Sequence, residues 1–376
     1  MPEGHSIHRI ARQFNDVFTG ERVRVTSPQG RYAEGAALVD GARIAQAFAH
    51  GKHLFVGFDN ELTLNVHLGI YGNWSFGGDE SFTGASSIGA PRKIGEKEYG
   101  GGEHAEYSGP PQPKATTRCR IVSEHGWADL VGPTVCRTLT PDEVAVVRGK
   151  LGPDPLNADA DPGQFYRAAA KSSRPIGVIL MDQAAISGVG NIFRAESLYR
   201  QKIDPLRPGK TLSDDELRRL WDEAERREER LAVLAVVRAR LGGEHVERVE
   251  ALDLYRHFLR TGAWWDLVDE TSHAVGAVLL AHPDEDEHLR RWARDEDLWV
   301  RRSAIICQLQ HKDRTNPGLL SDVIEANQED PEFFIRKAIG WALRDYARTA
   351  PVWVRRFVDS HPRLSPLSRR EALKHL

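Results

Sequence analysis

Apolar residues recur at helical spacing at the front of the chain, alternate with polar ones through the next stretch, and return to helical spacing in the last part. His5, Ile7, Ile10, Ala11, Phe14 and Phe18 fall three and four apart, which predicts an amphipathic helix over residues 3–18. Arg22–Ser27, Ala42–Phe48, Lys52–Phe58 and Leu62–His67 alternate in β fashion between Gly, Asp and Asn, so this part is expected to be mainly antiparallel sheet. Residues 77–117 turn to Gly, Pro, Ser and charge, the composition of a long mobile insertion. Strand texture resumes at Arg118–Val122 and Ala128–Val131. Residues 140–225 are mostly helical, and beyond about Arg226 the pattern is helix alone. There Trp299-Val300-Arg301-Arg302 is echoed by Phe334-Ile335-Arg336-Lys337 and again by Trp353-Val354-Arg355-Arg356. Such a recurring helix start predicts stacked helical hairpins.

Composition narrows the classes. A chain of 376 residues has room for several domains, each with its own core. With 51 basic against 54 acidic side chains, nucleic-acid binding has to rest on local patches and not on a cationic coat. Cys119, Cys136 and Cys307 form no CxxC pair, which argues against both a disulfide framework and a sulfur-rich zinc site. Neither a signal-peptide core nor a membrane-length apolar run is visible, so a cytoplasmic protein without membrane contact is expected.

The candidate chemistry begins at Met1-Pro2-Glu3-Gly4. Removal of Met1 would expose a secondary amine at Pro2 beside the Glu3 carboxylate. An α-amino group titrates near ~8, well below a lysine near ~10.4, so much of it is a free nucleophile at neutral pH and forms Schiff bases with aldehydes. Lys52, in GKHLF, sits where a strand begins and offers a cation to phosphate. Ser187-Gly188-Val189-Gly190-Asn191 reads as a tight turn opening a helix, whose first amides, with the Asn191 side chain, suit a phosphate. His5 and His8, three apart on the first helix, offer a weaker metal reading with no partner to complete it.

These segments, with HLGIYG at 67–72, LGPDPL at 151–156 and DQAAISGVGNIFRAE at 182–196, resemble the formamidopyrimidine-glycosylase/endonuclease VIII (Fpg/Nei) family of DNA base-excision enzymes over residues 1–225. The resemblance implies a β-sandwich domain at 1–125, interrupted by the insertion at 77–117, and a helix-two-turn-helix DNA-binding domain at 126–225. It implies Pro2 as Schiff-base nucleophile and Glu3 as proton donor. Lys52, Asn191 and Arg194 become DNA-binding residues, and Ile70 and Tyr71 the side chains that fill the gap left by an everted nucleotide. The family's usual zinc finger has no counterpart in this chain, so no cofactor is expected.

The all-helical part carries Trp264-Trp265-Asp266-Leu267-Val268-Asp269. Trp265 and Asp269, four apart on a helix, present an aromatic face and a carboxylate on one side. That pairing suits a cationic alkylated purine and the positive charge that builds on the sugar as its bond breaks. With 297–316 and 331–349, the segment resembles the AlkD family of alkylpurine DNA glycosylases over residues 226–376, which implies an all-α HEAT-like repeat solenoid. By that match Trp265 and Trp341 are aromatic walls, Asp269 the catalytic carboxylate and Arg302 the phosphate-binding arginine, with Arg301 as the alternative. Helices at 211–240 are the expected cover for the first repeat.

The sequence therefore predicts a multidomain α+β protein for base-excision repair, a DNA glycosylase and abasic-site lyase joined to an alkylpurine-glycosylase-like module. It is expected to act as a monomer on double-stranded DNA carrying damaged bases or abasic sites. A non-catalytic damaged-DNA-binding protein is the rival, and an artificial join near residues 220–230 would leave a single active module.

Overall fold

The computed structural model describes residues 2–90, 98–99, 109–223 and 249–376. The chain packs as two compact units, Met1–Glu228 and Glu229–Leu376. The expected boundary near 225–226, and much of the expected cover at 211–240, lie outside the described residues.

In the first unit, helix α1 (Gly4–Phe18) carries Ile7, Ile10, Phe14 and Phe18 on its buried face, as its periodicity requires. Asn15 ties it to strand β2 (Ile44–His50), donating to Ala47 O at 2.8 Å and accepting from Ala47 N–H at 2.7 Å. Two antiparallel sheets follow. One has the order β1 (Arg24–Thr26), β9 (Thr117–Val122), β10 (Gly126–Val131), β5 (Asn73–Gly78), β7 (Ser87–Gly89). The other runs β11 (Val135–Leu139), β4 (Thr63–His67), β3 (His53–Phe58), β2. Leu54, Val56, Leu64 and Val66 from one sheet share a single core with Trp74, Phe76, Ile121 and Leu130 from the other and with α1.

The expected insertion at 77–117 begins too early. Residues 84–85 form a short strand (β6) that pairs with β8 (Glu98–Tyr99), and β7 adds to the sheet edge beside β5. Phe82, Ala85 and Ile88 anchor this stretch by entering the core. Gly and Ser around them masked three apolar residues strong enough to hold the chain. The remainder of the insertion, 91–97 and 100–108, lies outside the described residues. A short helix α2 (Ala33–Val39) and strands β5 and β11 also form where the pattern suggested none.

Helices α3 (Pro141–Arg148), α4 (Gly163–Ala170), α5 (Ile176–Ile179) and α6 (Asn191–Arg200), with a helix α7 through residues 214–223, complete the unit. Phe165, Ile179, Ile186, Phe193, Leu217 and Trp221 form their core.

The second unit is helical throughout its described residues: α8 (Ala251–Gly262), α9 (Trp265–Ala281), α10 (Asp286–Trp292), α11 (Leu298–Ile306), α12 (Pro317–Glu325), α13 (Phe333–Tyr346), α14 (Pro351–Ser360) and α15 (Pro366–Ala372). Helices α9, α11, α13 and α15 pack in that order, and α10 packs on α12. Trp264, Trp299 and Phe334 stand at equivalent points and cluster, with ring centroids 6.1 Å apart for the tryptophans and 5.0 Å for Trp299 and Phe334. This alters the sequence repeat. The third copy at Trp353 lies on α14, outside the α9–α11–α13–α15 series, and the true first member is Trp264.

Candidate active sites

Pro2 and Glu3 are buried immediately ahead of α1. Glycine sets their surroundings. Gly4 N–H donates to Gly188 O at 2.9 Å, and a Cβ on Gly4 would stand 2.9 Å from Gly188 Cα. Gly188 itself has φ +90°, a left-handed conformation that glycine adopts without strain. The Glu3 carboxylate accepts from Ile192 N–H at 2.9 Å (Oε1) and Phe193 N–H at 3.1 Å (Oε2). These are first-turn amides of α6, donors that no intrahelical acceptor satisfies, at the positive end of the helix dipole.

That corrects the phosphate reading of this turn, because Glu3 already occupies amides that were expected to receive a phosphate. Asn191 remains exposed at the helix start, and Arg194 stands half-buried one turn later on the same face. They keep side-chain donors near the helix end even though Glu3 fills two of its amides.

Lys52 occupies the turn between β2 and β3, after Gly51 at φ +58°. Burial pushes its ammonium below the ordinary lysine range, and the attraction of Glu3 opposes that shift, so the two groups feel one another. The turn is fastened by Asp154, a residue of the LGPDPL segment that is 1% exposed. Its Oδ2 accepts from Gly51 N–H at 2.7 Å and lies 2.8 Å from His8 Nε2, while Oδ1 accepts from Leu156 N–H at 3.0 Å. His8 therefore has the acidic partner that the sequence hid 146 positions away, and the metal reading of His5 and His8 is replaced by a tie between α1 and the lysine turn. Among the described residues no group of three or more His, Cys, Asp or Glu could hold a metal. Cys119 and Cys136 lie in the first unit and Cys307 in the second.

Two further histidines flank Lys52. His53 and His67 face each other across β3 and β4, with ring centroids 4.9 Å apart. Burial, helped by His67, takes His53 down to about 4; burial and the Lys52 charge lower His67. His67 Nδ1 lies 3.0 Å from Thr134 Oγ1. After His67, Gly69 turns the chain at φ +66° and leaves Ile70 56% and Tyr71 75% exposed, a wedge-shaped pair at a loop tip. Sequence reasoning missed Asp154 and His67 although both lie in segments it singled out, because neither has a neighbour in sequence that reveals its role.

In the helical unit, Trp265 and Asp269 occupy the first turns of α9, four apart, and both are half-buried. Arg302, 4% exposed on α11, donates from Nε to Asp269 Oδ1 at 2.8 Å and from Nη2 to Oδ2 at 3.0 Å; Nη1 donates to Phe334 O at 2.7 Å. Arg302, expected to bind phosphate, is also the bidentate partner of the expected carboxylate. Arg301 is engaged too, with Asp295 O and Glu296 O at 2.8 and 2.9 Å and Asp330 Oδ2 at 3.0 Å. Trp341 is half-buried on α13, and among the described residues neither it nor Trp265 makes a ring contact that joins it to Asp269 or Arg302. Among the described residues no helix is long and apolar enough to cross a membrane.

Against known proteins, the family described as formamidopyrimidine-DNA glycosylase N-terminal domain matches residues 1–126, and that described as DNA alkylation repair enzyme matches residues 189–376. Endonuclease 8 1 of Mycobacterium tuberculosis is 39% identical over 228 residues, 59% of this chain and 74% of that protein. Formamidopyrimidine-DNA glycosylase of Thermus thermophilus is 28% identical over 233 residues, 59% of this chain and 72% of its own. A solved Lactococcus lactis Fpg bound to DNA with an abasic site gives a TM-score of 0.47 at 17% identity, covering 62% of this chain and 79% of that one.

Proposed function

Because the chain belongs to the Fpg/endonuclease 8 family through its first part and to the DNA alkylation repair enzyme family through residues 189–376, we propose that it is a base-excision repair enzyme with two chemical centres. In the first, Pro2 acts as an amine once Met1 is removed. It attacks C1′ of a damaged or baseless deoxyribose as the base (where present) leaves and the C1′–O4′ bond opens, Glu3 protonates the sugar, a Schiff base results, and β-elimination takes a C2′ proton and expels the 3′ phosphate to break the strand. Lys52, Asn191 and Arg194 grip the phosphates, and Ile70 and Tyr71 fill the stack that the everted nucleotide leaves. The observation that carries the reading is the Glu3 carboxyl group, next to Pro2 in the chain, fixed on the amides of Ile192 and Phe193.

The second centre is read as an alkylpurine glycosylase on a HEAT-like solenoid, following a helix-two-turn-helix module. Asp269, held by Arg302, supplies a fixed negative charge to the oxocarbenium-like sugar, and Trp265 and Trp341 present aromatic faces to a cationic base or its sugar. The partner is double-stranded DNA. No cofactor is required, and the protein works as a monomer.

Borohydride added to the mature protein with an abasic-site duplex should trap a covalent adduct that acetylation of the N-terminal nitrogen abolishes; no adduct, or one that survives the blocked terminus, removes the amine reading. Release of 7-methylguanine or 3-methyladenine that is unchanged in Asp269→Asn removes the second centre.

A further inference from the structure

A cavity of about 30 Å³ opens beside Glu3, lined among others by Gly4, His5, Asp154, Ser187 and Gly188. That is room for one or two waters. Ser187 is fully buried, and its Oγ has no hydrogen-bond partner among the described residues. The hydroxyl sits in space left by a neighbouring glycine, since a Cβ on Gly51 would stand 3.2 Å from it. A buried hydroxyl without a partner is costly, and a cavity wall is where a water satisfies it.

We infer that Ser187 holds a water in this cavity through which the buried Glu3 exchanges protons with bulk solvent. The inference rests on the amine reading above. Glu3 is 1% exposed and each of its oxygens already accepts one amide hydrogen, which leaves a second lone pair on each for a water. Asp154 fastens the lysine turn, with Gly51 and His8 both on its Oδ2 and Leu156 on its Oδ1, whereas the Ser187 hydroxyl on the cavity wall has its full hydrogen-bonding capacity to offer a water. After Glu3 gives its proton to the sugar, the held water passes one proton to the carboxylate and takes one from the water beyond it. One proton thus moves from bulk to Glu3 per turnover, and the C2′ proton lost in β-elimination returns one to solvent, so the enzyme ends each cycle unchanged.

The test compares wild type with Ser187→Ala on an abasic-site duplex. Two rates are measured: borohydride trapping in a single turnover, where Glu3 uses the proton it starts with, and steady-state strand cleavage, where the proton must be replaced. The ratio of steady-state to single-turnover rate should fall about tenfold in the variant, with a larger solvent deuterium effect on the steady-state rate. An equal fall in both rates makes Ser187 a packing residue, and an unchanged ratio removes the water route; either overturns the inference. Absence of trapping in wild type would instead refute the amine reading.

Discussion

Replacing Asp269 by Asn separates charge from shape in the helical unit. The substitution keeps one acceptor oxygen but turns an NH2 donor toward Arg302, so a guanidinium 4% exposed keeps Phe334 O and loses most of its counter-charge. Each charge-assisted bond at such a site is worth about 1.5–3 kcal/mol, and stranding one member of a buried pair costs about 3–5 kcal/mol. The Asp269 side chain is 14% exposed, so water relieves part of this, and the lower end, about 3 kcal/mol, is expected. Arg302→Met in the same chain removes the stranded charge, and the double variant should return to within about 1.5 kcal/mol of wild type. Local stability is measured by hydrogen exchange of amides in α9 and α11, with β3 and β10 as an internal reference that neither change touches. A coupling energy below about 0.5 kcal/mol in this cycle would mean that the two side chains are not held together, and the account of the site would fail. The same cycle protects the activity assay, since loss of base release in Asp269→Asn counts as chemistry only where α9 stays protected.

Gly190→Ala should move the acid without touching it: the new Cβ would stand 2.3 Å from Glu3 Oε1, so trapping at an abasic site is expected to fall about 100-fold while duplex binding, measured by anisotropy, changes little. His53 and His311, each lowered by burial to about 4, bind fewer protons folded than unfolded between that value and about 6.5. Stability is therefore full above about pH 6.5 and declines as pH falls toward 4, by up to about 1.4 kcal/mol per pH unit for each histidine; urea midpoints between pH 4 and 7 check this, and His53→Gln should flatten the first unit's share. Trp299→Ala, at the centre of the Trp264–Phe334 cluster, should cost about 3–5 kcal/mol, whereas Trp265→Ala, half-buried and without a ring partner among the described residues, should cost less than about 1.5 kcal/mol in the same urea titration. Equal losses would contradict the division between a packed and a half-buried tryptophan.

What could be read in advance followed local period. Helix α1, the strands between residues 24 and 67, and the helix opening at Asn191 each repeat their signal within a few residues. The edge strand β7 escaped notice because Phe82 and Ile88 sit in a background of Gly and Ser, where three or four side chains decide the outcome. The aromatic repeat escaped in a different way. Trp264, Trp299 and Phe334 are 35 apart, but Trp264 is adjacent to Trp265, and only the fold assigns one ring to packing and the other to the half-open face. Ties such as His8–Asp154 and Arg302–Asp269 span 146 and 33 positions, and no spacing rule connects them.

Both carboxylates given chemical roles are immobilised by donors, yet by different kinds. Glu3 is held by main-chain amides, so its position is encoded by the glycines that let the backbones close on it: Gly4 against Gly188, and Gly190 against Glu3 itself. Substituting a donor side chain cannot release it; only backbone change or an added Cβ can. Asp269 is paired with the Arg302 guanidinium, so a single substitution removes both of those bonds and leaves a buried charge without that counter-ion. For Asp269, a fixed negative charge needs no reorganisation when positive charge builds on a nearby sugar, which is the condition under which electrostatic stabilisation is strongest, whereas Glu3 has to be held where its proton is needed. The first site should therefore be sensitive to the size of residues that contribute no functional group, and the second to the charge balance of a pair. A scan of Gly4, Gly188 and Gly190 to Ala in one unit, set beside charge-neutral replacement of Asp269 with Arg302 in the other, distinguishes these two ways of building an acid into a protein.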